Sequence, residues 1–392
     1  MSDTNRVALR FRAESVAGTI ETGAYDLVPF TGSSDLGATP ETVVSDIIRS
    51  DREVTDLIKT NESIGGQFDT ELMPGAFNDL LLGMLQASAW STESELVASG
   101  VSIDLTSATP ASTLESTGAF TASDVAVGDF VEVVQGSVRG YFRVLSRPDN
   151  DTITVEGPLT GFTTAGTRTD VVVTNGAAAE NGTTTKSFTF ERSYLDHSPV
   201  TREYLTGLEV DTFSVSASAS AIVTSSFGLL GMSHSSVTSR AGGVSDGSDN
   251  SATPFNASNN VATIGEAGAP GLQVCTELTM EVANNLRQRN VIGTEGAQSI
   301  GSGEFNVTGS LSVYFENNTL LEKLLNNTQT SISFGFSDGT GNALIFDMPA
   351  VKFTEGVPEV SGKNEDVMLN LGYQAFRDSD DEYTLRVTRF TA

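Results

Sequence analysis

The chain is 392 residues long and carries 50 acidic against 22 basic side chains, a formal net charge of −28 that repels nucleic acid and anionic membranes and so disfavours a DNA reader. Hydrophobic residues at 38% with 7% aromatics suffice for two or three packed domains, and no long apolar run offers a membrane span. One cysteine, Cys275, excludes an internal disulfide framework and any multi-thiolate metal site.

The N-terminal MSDTNRVALRF has neither a basic start nor an apolar core, so no signal peptide is expected. The first clean alternation is Ile64-Gly66-Phe68-Thr70-Leu72, a strand that runs into a helix with Phe77, Leu80, Leu81, Met84 and Leu85 on one apolar stripe. Residues 95–185 are rich in Thr, Ser, Gly and Val, with short strands at 131–133, 142–144 and 153–155, and read as an inserted β domain. Strands are expected at 208–216 and 218–227. The Ser/Gly/Asn/Ala-rich stretch 233–270 reads as a linker or extended loop. Beyond it, alternation from Leu272 to Val282 places Cys275 on the face opposite the apolar row, and Phe305–Phe315 forms a second clean strand. Thr319-Leu320-Leu321-Glu322 reads as a capping box opening a second helix, and strands follow at 331–337, 343–348, 366–375 and 383–390.

Two of these pieces match each other. Residues 66–85 align with 309–328 without a gap: Phe68 with Leu311, Leu72 with Phe315, Phe77 with Leu320, Asp79 with Glu322, and Leu81-Leu82 with Leu324-Leu325. The simplest inference is a strand-and-helix domain carried twice. The predicted fold is therefore mainly β, with two tandem sandwich or barrel domains, one short helix on each, and a small β insert. The boundaries are 1–94 and 186–235 for the first domain, 95–185 for the insert, 236–270 for the linker and 271–392 for the second domain.

Catalytic constellations are scarce. His197 has Asp196 and Ser198 beside it, but adjacent residues on an extended chain point apart, whereas a triad is a spatial arrangement. His234 sits at the edge of the linker. No Walker sequence, dinucleotide fingerprint, HExxH or EF-hand loop is present, and residues 335–341 (GFSDGTG) read as a turn between strands. Two acidic loops, Asp246–Asn250 and Asp378–Glu382, have oxygen ligands without the glycine and terminal glutamate of a tuned calcium site, and read first as solvated turns. No catalytic, cofactor-binding or metal residue is assigned, no cofactor is expected, and an enzyme is not. The skew to 17 Arg over 5 Lys within so acidic a chain suits concentrated salt and suggests a halophilic source, the alternative being an ordinary acidic surface.

The chain resembles the tail tube, or major tail, proteins of long non-contractile tailed viruses. The resemblance lies in Ile48–Arg52 followed by the Gly65-Gly66 strand and helix, in Ser226–Gly231, and, in the second half, in VTGSLSVYFENNTLLEKLLN (307–326), MPAVKFTEG (348–356) and AFRDSDDEYTLRVTRF (375–390). It implies a helix-flanked β-sandwich or barrel whose inner sheets join those of neighbours to close a ring. Rings then stack through long loops into a tube that conducts the genome into the host. It implies trimeric rings for a chain with two tube domains, with hexamers as the single-domain form. The implied partners are other copies of the chain, a tail terminator, a tape measure protein and a distal tail protein, with DNA passing through the lumen unbound and no membrane involved. The implied location is the virion tail, assembled in the host cytoplasm.

By the same resemblance, the segment from about Thr42 to Ile64 corresponds to the loop that reaches the adjacent ring. It holds Asp46, Arg49, Asp51, Arg52, Glu53, Asp56, Lys59 and Glu62, alternating in sign as inter-subunit salt bridges require, and Arg287 and Arg289 occupy the comparable stretch of the second half. The plain alternative is charge that solvates a surface loop. Rival readings are another tail component of the same lineage, such as a terminator or distal tail protein, and a ligand-binding β-sandwich surface protein. The single Trp90 is better explained by core packing than by a binding site.

Overall fold

The structure is a computed structural model that describes residues 3–247, 249–266, 269–270, 274–360 and 362–392. Leu272 of the expected strand and Ser248 of the first acidic loop lie outside them. From the N-terminus come β1 (Val7–Ala13), β2 (Gly23–Leu27), β3 (Phe30–Ser34), β4 (Gly37–Val44), β5 (Leu57–Glu71) and helix α1 (Asn78–Leu85). Seven short strands follow: β6 (Ser94–Val97), β7 (Asp104–Thr106), β8 (Ala111–Glu115), β9 (Phe130–Gln135), β10 (Val138–Ser146), β11 (Thr152–Glu156) and β12 (Val171–Asn175). Next are β13 (Ala177–Glu180), β14 (Phe188–Tyr194), β15 (Thr201–Ser218), β16 (Thr224–Gly231), β17 (Ser233–Val237), β18 (Val244–Asp246), β19 (Val261–Glu266) and β20 (Ala269–Pro270). The C-terminal part holds β21 (Cys275–Ala283), β22 (Arg287–Arg289), β23 (Ser299–Gly301), β24 (Asn306–Tyr314), α2 (Thr319–Leu325), β25 (Thr330–Ser337), β26 (Ala343–Glu359), β27 (Met368–Ala375) and β28 (Arg386–Phe390).

The fold is mainly β, as the alternating pattern predicts, and both strand-to-helix passages are present, β5 into α1 and β24 into α2. Strand pairing follows one succession in each half. In the first, β1 pairs β14, then β15, β16, β5 and β4. In the second, β19 pairs β25, then β26, β27, β24 and β21. The agreement extends to irregularities. The register of β15 on β16 shifts between Val210 and Thr212, and that of β26 on β27 shifts between Phe353 and Glu355. A bulge adds one unpaired residue and bends its strand, and each long strand changes partner along its length: its first part pairs β14 or β25 and its last part β16 or β27.

One continuous core spans both halves, threaded by aromatic rings. Phe68 stacks on Phe227 at 5.4 Å, Phe227 lies 4.9 Å from Phe213, Phe213 is 6.1 Å from Phe346, and Phe346 is 5.1 Å from Phe334. Each of these side chains is fully buried or nearly so, a gain of about 2–3 kcal/mol apiece relative to exposure. The sheet of β6 to β12 has its own core, which includes Phe120, Val131, Val133 and Ile153. It meets the second half through Tyr141, packed 5.0 Å from Phe390 and within 3.0 Å of the Ser337 hydroxyl. Arg143 reaches the buried Asp347 at 3.4 Å and Asp381 at 3.0 Å, and Arg386 pairs with Asp129 at 3.0 Å. Such buried pairs fix orientation more than they stabilise, since desolvation offsets most of the attraction.

Several sequence expectations change. Residues 233–270, expected as a linker or loop, carry β17 to β20, and Phe255 is fully buried with its N–H on Leu72 O. The strand expected at 343–348 continues to Glu359: Pro349 falls at the register shift of β26 on β25, a bulge that tolerates its missing N–H, and Pro358 falls where β26 is paired on one side only. The strand expected at 218–227 begins at Thr224, after a turn through Ser220 at a φ of 64°. Cys275 packs against the core rather than away from it: a register shift between Cys275 and Glu277 flips its parity and sets it opposite Val313. The capping box is absent. Asn318 is the N-cap of α2, its amide donating to Glu322 Oε1 at 2.5 Å, while the Thr319 N–H is taken by Asn317 Oδ1 at 3.0 Å. Helix α1 shows no single stripe, since every residue from Leu80 to Leu85 is buried. It approaches β14 and β15 most closely at Gly83, where a Cβ would stand 2.7 Å from the Phe188 ring.

Candidate assembly interface

The two halves meet along a sheet seam. The last part of β15 pairs β21 antiparallel, from Thr212 opposite Ala283 through Ser214 opposite Glu281 and Ser216 opposite Thr279 to Ser218 opposite Glu277. Phe213, Val215, Leu278, Met280 and Val282 face the core below. Beyond the last pair, Asn284 donates its side-chain amide to Val210 O and Met84 O, both at 2.9 Å, and the Leu286 N–H reaches Asp211 Oδ1 at 2.7 Å. Asp211 is the bulged residue of β15, so the bulge directs its carboxylate onto the incoming chain.

The matching edges at the two ends of this sheet have no such partner. The last part of β26, Thr354–Glu359, pairs β27 on one side and no other strand among the described residues. At the opposite end, β3 and β4 pair β5 alone. Val357 and Val360 are 75% and 78% exposed on the first edge. Unpaired, partly apolar edges are templates for strand addition by another chain. These edge residues carry no motif; the usable signal is a Gly-Val-Pro run following a cleanly apolar strand.

The face of the sheet turned from the core is lined with carboxylates and hydroxyls. It presents Asp69 and Glu71 from β5 and Glu277 and Glu281 from β21, which alternate with buried residues, and the exposed Glu355 and Glu359 from β26. Between them lie Ser214, Ser216, Ser310 and Thr279, whose hydroxyl sits 2.7 Å from that of Ser310. The carboxylates of such a face disfavour contact with phosphate.

The charged segment from the sequence forms an arm. Thr42–Val44 of β4 pair Leu57–Lys59 of β5, and the tip between them is exposed, Ile48 fully so and Ile47 and Val54 largely. Arg49 chelates Asp51, whose carboxyl is held below its ordinary range mainly by that contact. Lys59 is raised, chiefly by its bond to Glu295 at 3.2 Å, and also lies 3.5 Å from Glu62. Asp56 accepts the Leu57 N–H, while Asp46, Arg52 and Glu53 are exposed at the tip. Arg287 and Arg289 lie in β22, paired with β23 and likewise exposed. The loop that carries them leans on the first half, with Gln288 donating to Ile64 O at 3.1 Å and Gly231 O at 2.8 Å.

The remaining flagged groups are tied up locally. His197 Nδ1 lies 2.9 Å from the Thr201 hydroxyl and its ring stacks on Tyr194, and His234 lies 3.7 Å from Glu62. Asp246 and Asp249 pair with Arg10, and Asp378 accepts the N–H groups of Asp380 and Asp381. Trp90 follows α1 by a few residues and packs on the core, with the Arg389 guanidinium 5.0 Å over its ring. Among the described residues no cluster of acidic, His or Cys side chains fits a metal ion.

No curated protein sequence matches the chain. The profile described as phage tail tube protein matches residues 4–375, nearly the whole length, and embraces both β networks, both helices and both open edges. The chain therefore belongs to the phage tail tube protein family, a structural component of the virion tail.

Proposed function

We propose that copies of this chain close into rings through the open edges of β26 and β3–β4, and that the rings stack into the hollow tube through which the viral genome is delivered. The observation that carries this is the seam of β15 on β21, a join between equivalent edges already made inside one chain. In this reading the two halves are a duplicated tube module, so three chains supply six equivalent positions, and a trimeric ring is preferred over a hexamer. The exposed arm around Ile48, with Asp46, Arg49, Asp51, Arg52, Glu53 and Asp56, contacts the adjacent ring, and the seven-stranded sheet is an inserted domain on the outside. The carboxylate face lines the lumen, where like charge keeps DNA sliding rather than adhering. A long non-contractile tail suits this module, with a terminator, a tape measure and a distal tail protein as its neighbours.

Negative-stain imaging of the purified chain across a range of salt tests the reading. Tubes of uniform width with threefold averages are the expected result. Single rings that never stack would favour a terminator, and a chain monomeric at every ionic strength would overturn the proposal.

A further inference from the structure

The structure assigns a register to the seam between copies: Glu355, Val357 and Glu359 of one chain lie opposite Thr39, Gly37 and Asp35 of the next, and the Glu359–Asp35 opposition makes ring closure depend on ionic strength. This rests on the ring reading above and adds to it the pairing and its electrostatic consequence.

Both partners of the seam can be placed from pairings inside the chain. Glu209, Val210, Thr212, Phe213 and Ser214 meet Leu230, Leu229, Gly228, Phe227 and Ser226 of β16. In β26, Lys352, Phe353, Glu355, Gly356 and Val357 meet Gln374, Tyr373, Gly372, Leu371 and Asn370 of β27. The two runs match residue for residue, each skipping one residue at its bulge, Asp211 or Thr354. The other edge matches as closely. Ser34 meets Phe68 as Leu278 meets Leu311, and Gly37 meets Gly65 as Glu281 meets Thr308. Phe68 and Leu311 are the equivalent positions of β5 and β24. Carrying the β15–β21 register over, Thr212 opposite Ala283 becomes Glu355 opposite Thr39, Ser214 opposite Glu281 becomes Val357 opposite Gly37, and Ser216 opposite Thr279 becomes Glu359 opposite Asp35.

The substitutions along this register set the chemistry. Val357, 75% exposed in the free chain, comes against Gly37, which has no side chain to crowd it. Asp35 cannot turn away, because its Oδ1 accepts the Gln67 N–H at 2.5 Å. Where the inner seam opposes two hydroxyls, the outer one opposes two carboxylates. Directly opposed residues stand about 5 Å apart at their Cβ atoms, and like charges there repel. The screening length falls from about 10 Å at 0.1 M salt to about 3 Å at 1 M, so salt removes the penalty.

Two measurements on the full chain test this. The Gly37→Cys/Val357→Cys double variant, assembled in high salt and oxidised, should give a ladder ending at a closed oligomer on a denaturing gel, while Gly37→Cys/Glu355→Cys should not. The salt required for half-maximal tube formation should fall about twofold or more in Glu359→Gln. Tubes that form without the 37–357 crosslink would overturn the register and leave the ring reading standing. An unchanged salt requirement in Glu359→Gln would overturn the electrostatic part, and absence of assembly at any salt would sink the ring reading itself.

Discussion

Helices α1 and α2 follow equivalent strands and carry leucines at matching positions, yet α1 buries every residue from Leu80 to Leu85 and α2 buries none. The sequences differ at the aligned positions, where Leu80, Met84 and Leu85 match Lys323, Asn327 and Thr328, and the cover differs with them. The Met84 carbonyl receives the side-chain amide of Asn284, and Gln86 bonds the Ser302 hydroxyl at 2.9 Å, so the second half closes over the end of α1. Gly182 and Thr184 donate to Leu85 O and Gln86 O from the far side. Helix α2 rests on β26 and is held by Lys323 to Glu266, while Leu325 stands 73% exposed. Helix α1 is therefore completed by the half of the chain that follows it, and in the ring reading the cover for α2 comes from the next copy.

The largest test of that contrast is a pair of truncations at equivalent positions. Leu81→Ala should destabilise the chain by about 3 kcal/mol, as removal of a fully buried leucine does, whereas Leu324→Ala should cost about 1 kcal/mol. Urea midpoints measured in low salt, where the chain is kept apart from its copies, give both numbers. Equal losses would mean that α2 is covered in the isolated chain and would end the comparison.

A smaller effect isolates the cover itself. Asn284→Ala removes two hydrogen bonds and leaves Met84 O and Val210 O to find other partners, a cost of about 1–3 kcal/mol. Amide exchange should quicken in the last turn of α1 and stay unchanged in α2. Exchange that quickens equally in both would show that Asn284 supports the fold at large rather than this helix.

The strand-helix repeat was legible in the sequence because β5, α1, β24 and α2 keep one spacing and their apolar positions face one core. The rest of the correspondence was hidden by changes of spacing. Phe68 and Leu311 are 243 positions apart, but Phe213 and Gly356 only 143, because the first half carries the seven-stranded sheet between its helix and β14. Bulges hid more, since a single extra residue reverses which face a side chain takes, as at Cys275. The charged segment, expected as a loop from about Thr42 to Ile64, is an exposed tip between two paired strands, with Ile64 buried in the core. The open edges left one trace, the Gly-Val-Pro run of β26, because an edge is otherwise defined by the absence of a neighbour, which a strand's own residues do not record.

The finest test compares Glu209 with Lys352, which occupy the same place, one residue before the last pair ahead of the bulge, in β15 and β26. Lys352 is half-buried with its ammonium 5.8 Å from the Phe376 ring. Glu209 is buried, and desolvation first, then the nearby Glu14 carboxylate, pushes its pKa up to about 7. The folded chain thus holds a proton there that the unfolded chain releases near its ordinary value. The stabilisation is fully present below that ordinary value, declines between it and about pH 7, and is lost above. Glu209→Gln should therefore match the parent near pH 4 and exceed it by about 1–2 kcal/mol at pH 8, read as a difference in thermal midpoint. Part of the parent's pH slope should survive in the variant, because burial also pushes Glu156 up to about 7 in the seven-stranded sheet. Identical slopes for parent and variant would mean that water reaches Glu209 and that its position is no more buried than that of Lys352.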